Sequence, residues 1–185
     1  MESSNDVDDL SLVEGTLAGR RQDFDLLVRR HQRTLFAFAY RFVRDPELAA
    51  DIVQSSFILA YTRLNQFAQR SSFKTWLHQI VLNECRAAHR RTREHAHVPL
   101  DDVAEAKLAD SATSEPELGS LGWKAMIERF VSRLPARQRS VLILRIFSDL
   151  PFKEIARVEN ISENSAKVSF HHAITRLWSW MEEKP

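Results

Sequence analysis

Apolar positions along this chain recur every three or four residues, which is the signature of helices that bury one face. Asp8 to Ala18 reads as a first helix. A second begins near Asp23 and carries Phe24, Leu27, Val28, Leu35, Phe36, Phe38, Ala39 and Phe42 until Asp45-Pro46 interrupts it, because the residue before a proline is pushed out of the helical region. A third runs from Pro46 through Ile52, Val53, Phe57, Ile58 and Tyr61 to about Phe67. The polar loop Ala68-Gln69-Arg70-Ser71 separates it from a fourth, which holds Trp76, Leu77, Ile80, Val81 and Leu82 and ends near Arg93. These stripes suffice for one compact core.

Between Glu94 and Gly119 the pattern stops. Pro99 and Pro116 break helix, and Asp101, Asp102, Glu105, Asp110, Glu115 and Glu117 face only Lys107, a composition that solvates rather than packs. Beyond it, a helix through Trp123, Ile127, Phe130 and Val131 is expected, then a break at Leu134-Pro135 and a helix through Val141, Leu142 and Leu144. The division is therefore a domain over 1–93, an acidic linker over 94–120 and a second domain over 121–185.

The second domain ends in two short helical patterns joined by a turn. Pro151 stands at a helix start, where its missing N–H costs nothing, and apolar residues follow at helical spacing to Val158. Asn160 and Ile161 turn the chain, Ser162 is placed as an N-cap, and a helix follows from about Glu163 to Trp180. Ala166, Phe170, Ala173, Ile174 and Leu177 form its inward stripe, which leaves Asn164, Lys167, Val168, His171, His172 and Arg176 outward. A helix-turn-helix places such a face in the DNA major groove, where Lys and Arg neutralise phosphates and Asn, His and Val meet base edges or thymine methyls. Lys153 and Ser165, at the starts of the two helices, complete the candidate duplex contacts. The competing reading is a helical bundle with a merely solvated outer face.

Composition sharpens the class. Among 185 residues there are only four glycines, and Leu, Ala, Arg and Glu abound, so an all-α protein is expected. The net charge is +1, so any nucleic-acid role rests on distribution, with Arg86, Arg90, Arg91 and Arg93 clustered and the acids gathered in the linker. Cys85 is the single cysteine, the acidic start lacks the features of a signal peptide, and no apolar run reaches the roughly 20 residues of a membrane span. A cytoplasmic location without membrane insertion is expected. No nucleophile–base pair or phosphate-binding loop appears, which argues against an enzyme. Cys85, His89, His95 and His97 are close enough in sequence for a metal site to be conceivable, but paired-cysteine spacing is missing, and neither a metal nor a cofactor is expected.

Four blocks in order carry a resemblance: Asp51-Ile52-Val53-Gln54-Ser55-Ser56-Phe57, Ser72 to Asn83, Leu134-Pro135-Ala136-Arg137-Gln138-Arg139 and Glu154-Ile155-Ala156. Together they resemble the sigma factors of bacterial RNA polymerase, in the extracytoplasmic-function group that keeps only regions 2 and 4. The resemblance implies that Asp51, Gln54 and Phe57 grip the clamp helices of the largest polymerase subunit, and that the second domain meets the polymerase flap. It implies that Phe67, Gln69, Arg70, Ser71, Ser72, Phe73, Lys74, Trp76, Asn83, Arg86 and Arg90 capture the melted −10 strand. Phe73 and Trp76 are the available stacking rings, although Trp76 also reads as a core residue, which would leave the 67–72 loop as the base pocket. The helix after Ser162 would read the −35 element, and a membrane-attached anti-sigma factor is the expected inhibitory partner. Departures from the family pattern are Ala50, Ala87, Asn164, Ser169 and His172; the last two stand where the family often has Arg, which implies weak DNA binding by the free chain. A stand-alone helix-turn-helix regulator is the alternative.

Overall fold

The computed structural model describes residues 7–95 and 130–182, with side chains given up to Arg91 and from Phe130 to Trp180. Among these residues every regular element is helical: α1 (Asp9–Leu17), α2 (Arg21–Val43), α3 (Pro46–Thr62), a 3-10 turn (Leu64–Gln66), α4 (Phe73–His95), α5 (Ala136–Ile146), α6 (Phe152–Glu159) and α7 (Glu163–Glu182). The expected linker and the expected helix through Trp123 and Ile127 lie outside the described residues.

Local chemistry sets the boundaries. Asp8 caps α1 by accepting from the Ser11 amide, and Asp45 caps α3 by accepting from the Leu48 amide, with Pro46 in the first turn. Arg44 closes α2 in the left-handed conformation at φ 60°. The third helix stops at Thr62 and not near Phe67, a correction to the sequence expectation. Leu64 and Phe67 continue the apolar period of Phe57 and Ala60, but the chain tightens into i→i+3 bonds there, and both side chains are still buried as it turns toward α4.

In the first domain α2 packs against α1, α3 and α4 around Leu27, Leu35, Phe38, Leu77 and Leu82, all at most 1% exposed. Asp9 ties α1 to α2: its two oxygens meet Arg30 Nη1 and His31 Nε2, each at 2.7 Å. Burial would raise its pKa, but the hydrogen bond and charge of His31, then those of Arg30, hold it below the ordinary carboxylate range. In the second domain α7 packs on α5 and α6, around Leu142, Leu144, Ile155, Ala166 and Ala173. The two domains also touch each other, α4 against α6 and α2 against α5.

Candidate nucleic-acid and partner interfaces

The turn between α6 and α7 follows from three residues. Asn160 takes the left-handed conformation (φ 54°, ψ 50°) that asparagine tolerates, Ile161 N–H bonds back to Ala156 O at 2.9 Å, and Ser162 Oγ accepts the Ser165 amide at 3.1 Å. The chain therefore leaves α6 sharply and restarts as α7. Ala166, Ala173 and Leu177 are buried, and Phe170 meets the Phe152 ring edge-on at 5.5 Å, so the rotational setting of α7 is fixed.

That setting exposes Asn164, Ser165, Lys167, Val168, His171, His172 and Arg176, and Lys153 at the start of α6 is exposed as well. Val168 is 44% exposed, so its methyl groups are free to meet a thymine methyl. Lys167 Nζ pairs with Glu163 at 2.7 Å, and the Lys167 hydrogen bond and charge lower the Glu163 pKa. A pair this open to solvent is weak, so Lys167 can exchange Glu163 for a phosphate. Thr175 stands on the same outward face, four residues after His171, whose carbonyl accepts its hydroxyl at 3.0 Å. Sequence reading missed it; its spacing from Val168 and His171 is the signal that could have found it.

In the first domain the sites anticipated for a melted strand separate into four groups. Gln69 (φ 53°), Arg70, Ser72, Asn83 and Arg90 are exposed and Ser71 is half-buried. Ser72 Oγ caps α4 by accepting the Thr75 amide at 3.1 Å. Phe67 and Phe73 are different: they are 8% and 1% exposed, with ring centroids 5.7 Å apart. Phe73 is therefore not an available stacking ring; as the first residue of α4 it points into the core beside His31. Trp76 is half-buried against both phenylalanines, with centroids 5.3 and 5.8 Å away, so it is part core and part surface.

Lys74 and Arg86 point toward the second domain. Lys74 Nζ donates to Ser148 O, and Arg86 Nη2 meets Glu159 Oε2 at 2.7 Å. Between them His78 is buried, its Nδ1–H donating to Lys74 O at 2.8 Å and its Nε2 accepting from Ser148 Oγ at 3.0 Å. Burial drives the His78 pKa down to about 4; the hydrogen bond to Lys74 O works against this, while the charges of Lys74 and His31 add to the lowering, so the ring is neutral at pH 7.

A groove of about 730 Å³ opens between α2 and α3. Phe24, Val28, Val53 and Phe57 line its apolar part, Gln54 and Ala50 its α3 edge, and Arg21, Asp25, Gln32 and Arg33 its α2 edge. Gln54 is exposed and Phe57, 8% exposed, lies beneath it; Asp51 is exposed but stands outside the lining. Phe36, Ile58 and Tyr61, expected in the core, are 38%, 60% and 47% exposed and border the same groove. The core had enough apolar residues without them.

Cys85 is fully buried, which pushes its thiol up to about 12 and makes thiolate ligation of a metal expensive. The His95 side chain and His97 lie outside the described residues. Among the described residues no helix is long and apolar enough to cross a membrane.

Residues 27–95 match the family described as Sigma-70 region 2, and residues 124–177 match Sigma-70 region 4. The chain is 34% identical over 157 residues to the RNA polymerase sigma-H factor of Pseudomonas aeruginosa, covering 81% of each chain. It is 31% identical over 169 residues to the ECF RNA polymerase sigma factor SigM of Mycobacterium tuberculosis, covering 91% of this chain and 82% of that one. Its fold is shared with the sigma factor RpoE of Bartonella quintana, solved in complex with the anti-sigma factor NepR, at a TM-score of 0.70 and 22% identity over 89% of this chain and 99% of the other.

Proposed function

Since this chain belongs to the sigma-70 family and is an extracytoplasmic-function (ECF) sigma factor, we propose a division of labour among the surfaces described above. Sigma factors are non-enzymatic subunits of RNA polymerase, so the task is recognition: holding the core enzyme, reading two promoter elements and opening one of them.

The α2–α3 groove, with Gln54 at its edge and Phe57 in its floor, receives the clamp helices of the largest polymerase subunit, and Asp51 adds a carboxylate for a basic neighbour. The second domain meets the flap. α7 reads the −35 duplex through Asn164, Val168, His171 and Thr175, with Lys153, Lys167 and Arg176 on phosphates. The 67–72 loop, with Gln69 and Arg70 outward and Ser71 half-buried, receives the unpaired −10 bases, while Trp76, Lys74, Arg86 and Arg90 hold the strand. Opening a pair costs a few kcal/mol per flipped base, and stacking returns about 1–3 kcal/mol per base, so a base stacked on the half-buried Trp76 ring can offset much of the cost of flipping it. The solved relative bound to an anti-sigma factor supports control of this chain by such a partner. A cytoplasmic location follows from that work.

The observation that carries the reading is the coincidence in one chain of the exposed reading face of α7 and the groove beside Gln54. Transcription from upstream fragments with core polymerase alone, the chain alone and both together tests it. Specific initiation is expected only from both. Specific duplex binding by the chain alone at physiological salt, with no transcription on adding core, would instead support a stand-alone regulator.

A further inference from the structure

Successive residues of a helix turn by about 100°, so Asn164, Val168, His171 and Thr175 share a sector of about 60° along α7. This central row is the one that meets base edges. Lys167 falls on one flank of it, and His172 and Arg176, one turn apart, fall together on the other. A helix seated in the major groove has a sugar-phosphate backbone on each side, so the flanks meet phosphates while the row meets bases. Arg176 is already among the proposed phosphate contacts. His172, exposed beside it, has no assigned role.

The His172 ring lies 6.4 Å from that of His171 between centroids, and among the described residues no hydrogen bond or ion pair holds it. The acids near α7 are engaged elsewhere. Glu163 of α7 itself pairs with Lys167 on the far flank, Glu154 of α6 pairs with Arg157, and Glu159 of α6 with Arg86. α5 and α6 pack against the opposite, apolar side of α7 through Ala166, Ala173 and Leu177, and their remaining charges are cations: Lys153 on α6, and Arg137, Arg139 and Arg145 on α5. His172 is therefore left for an anion from outside the protein. An imidazolium donates to phosphate with a full charge behind the bond, whereas a neutral imidazole brings one N–H and no charge. A guanidinium in the same place would keep its charge at any pH, but an imidazole changes charge within the physiological range.

We propose that His172 is a proton-dependent phosphate contact: as imidazolium it holds the backbone beside Arg176, so that capture of a duplex by α7 takes up a proton. This rests on the reading of α7 as the duplex-binding helix. Phosphate favours the protonated ring, so binding is tightest where the ring is already protonated in the free chain and weakens as rising pH removes the contact. His171 sits on the central row and is not needed for the effect. Because a phosphate contact carries no sequence information, a duplex of any sequence reports it.

Titrating the full chain with a mixed-sequence duplex at low salt, at pH 6 and at pH 8, tests it. Affinity is about fivefold or more higher at pH 6, and the plot of log affinity against log salt is steeper there by about 0.9, the increment of one phosphate contact. His172→Gln removes the difference by weakening binding at pH 6. His172→Arg removes it by strengthening binding at pH 8, and His171→Gln leaves it in place. Lys167→Ala weakens binding at both pH values and preserves the difference. All three positions are exposed, so these variants keep the fold. A pH difference that survives His172→Gln, or that vanishes in His171→Gln, overturns the proposal, and so does equal binding at both pH values by a chain that Lys167→Ala still weakens. Binding that neither Lys167→Ala nor His172→Gln changes at either pH overturns the duplex reading of α7 itself.

Discussion

His78 carries more of the interdomain contact than its neutral ring suggests, because its environment forbids a proton. It is 1% exposed, donates to Lys74 O, accepts from Ser148 Oγ and lies edge-on to the Phe38 ring at 5.4 Å. The charged or titratable groups bearing on it are Lys74 on its own helix and His31 from α2. With a pKa near 4 when buried and 6.5 when free, the ring binds fewer protons in the folded state across that window. Stability is therefore complete above about pH 6.5 and falls as the pH drops toward 4, by about 3 kcal/mol in all. Urea unfolding from pH 7.5 to 4 checks this against His78→Gln, whose slope over the window is expected to be flatter. Equal slopes would show that His78 contributes no acid sensitivity. Such a residue is invisible in the sequence: His78 was one more polar letter in a helix, and its partner Ser148 is 70 positions away.

Among the elements, α2 and α7 were legible because each has a single apolar stripe and punctuation at its end, Asp45-Pro46 after α2 and Ser162 before α7. The end of α3 was not. Its apolar period runs unbroken through Leu64 and Phe67, so periodicity cannot distinguish a continuing helix from a 3-10 turn that buries the same side chains. The extra apolar letters of α2 and α3 were misplaced for a related reason: a sequence marks Phe36, Ile58 and Tyr61 as apolar but not as surplus to the core. That surplus makes the groove. Replacing Asp51 and Gln54 with Arg is expected to weaken core-polymerase binding about tenfold or more while leaving helix content unchanged, since both side chains are exposed. A core-binding titration with circular dichroism checks it, and undiminished affinity would remove α3 from the polymerase interface. For α7, Lys167→Ala is expected to weaken duplex binding at all sites and reduce the salt slope by about 0.9, whereas His171→Ala changes base preference. Selection from a randomised duplex library separates the two, and identical preferences and slopes would mean that another face of the domain meets DNA.

At the scale of the whole molecule, the division into an all-helical pair of domains was written in the composition change after residue 93, and their contact was not. Pairs such as Arg86–Glu159 and Arg139–Phe42 join positions 73 and 97 residues apart and leave no periodic trace. The acidic stretch from 94 to 120 could reach roughly 90 Å if extended at about 3.3 Å per residue, enough to span both promoter elements. If its carboxylates stand in for RNA phosphates in a basic polymerase channel, neutralising the five acids from Asp101 to Glu115 will alter abortive and full-length product yields without changing promoter choice. Wild-type yields would leave it a tether. With Ser169 and His172 where the family often has Arg, α7 carries few cations for phosphates, and promoter specificity is expected only in the assembly with polymerase. Run-off transcription from a library of bacterial upstream fragments measures that dependence directly. A defined set of start sites that appears with core plus this chain, and is lost with either component alone, is the predicted result; the same start sites from core polymerase without the chain would contradict it.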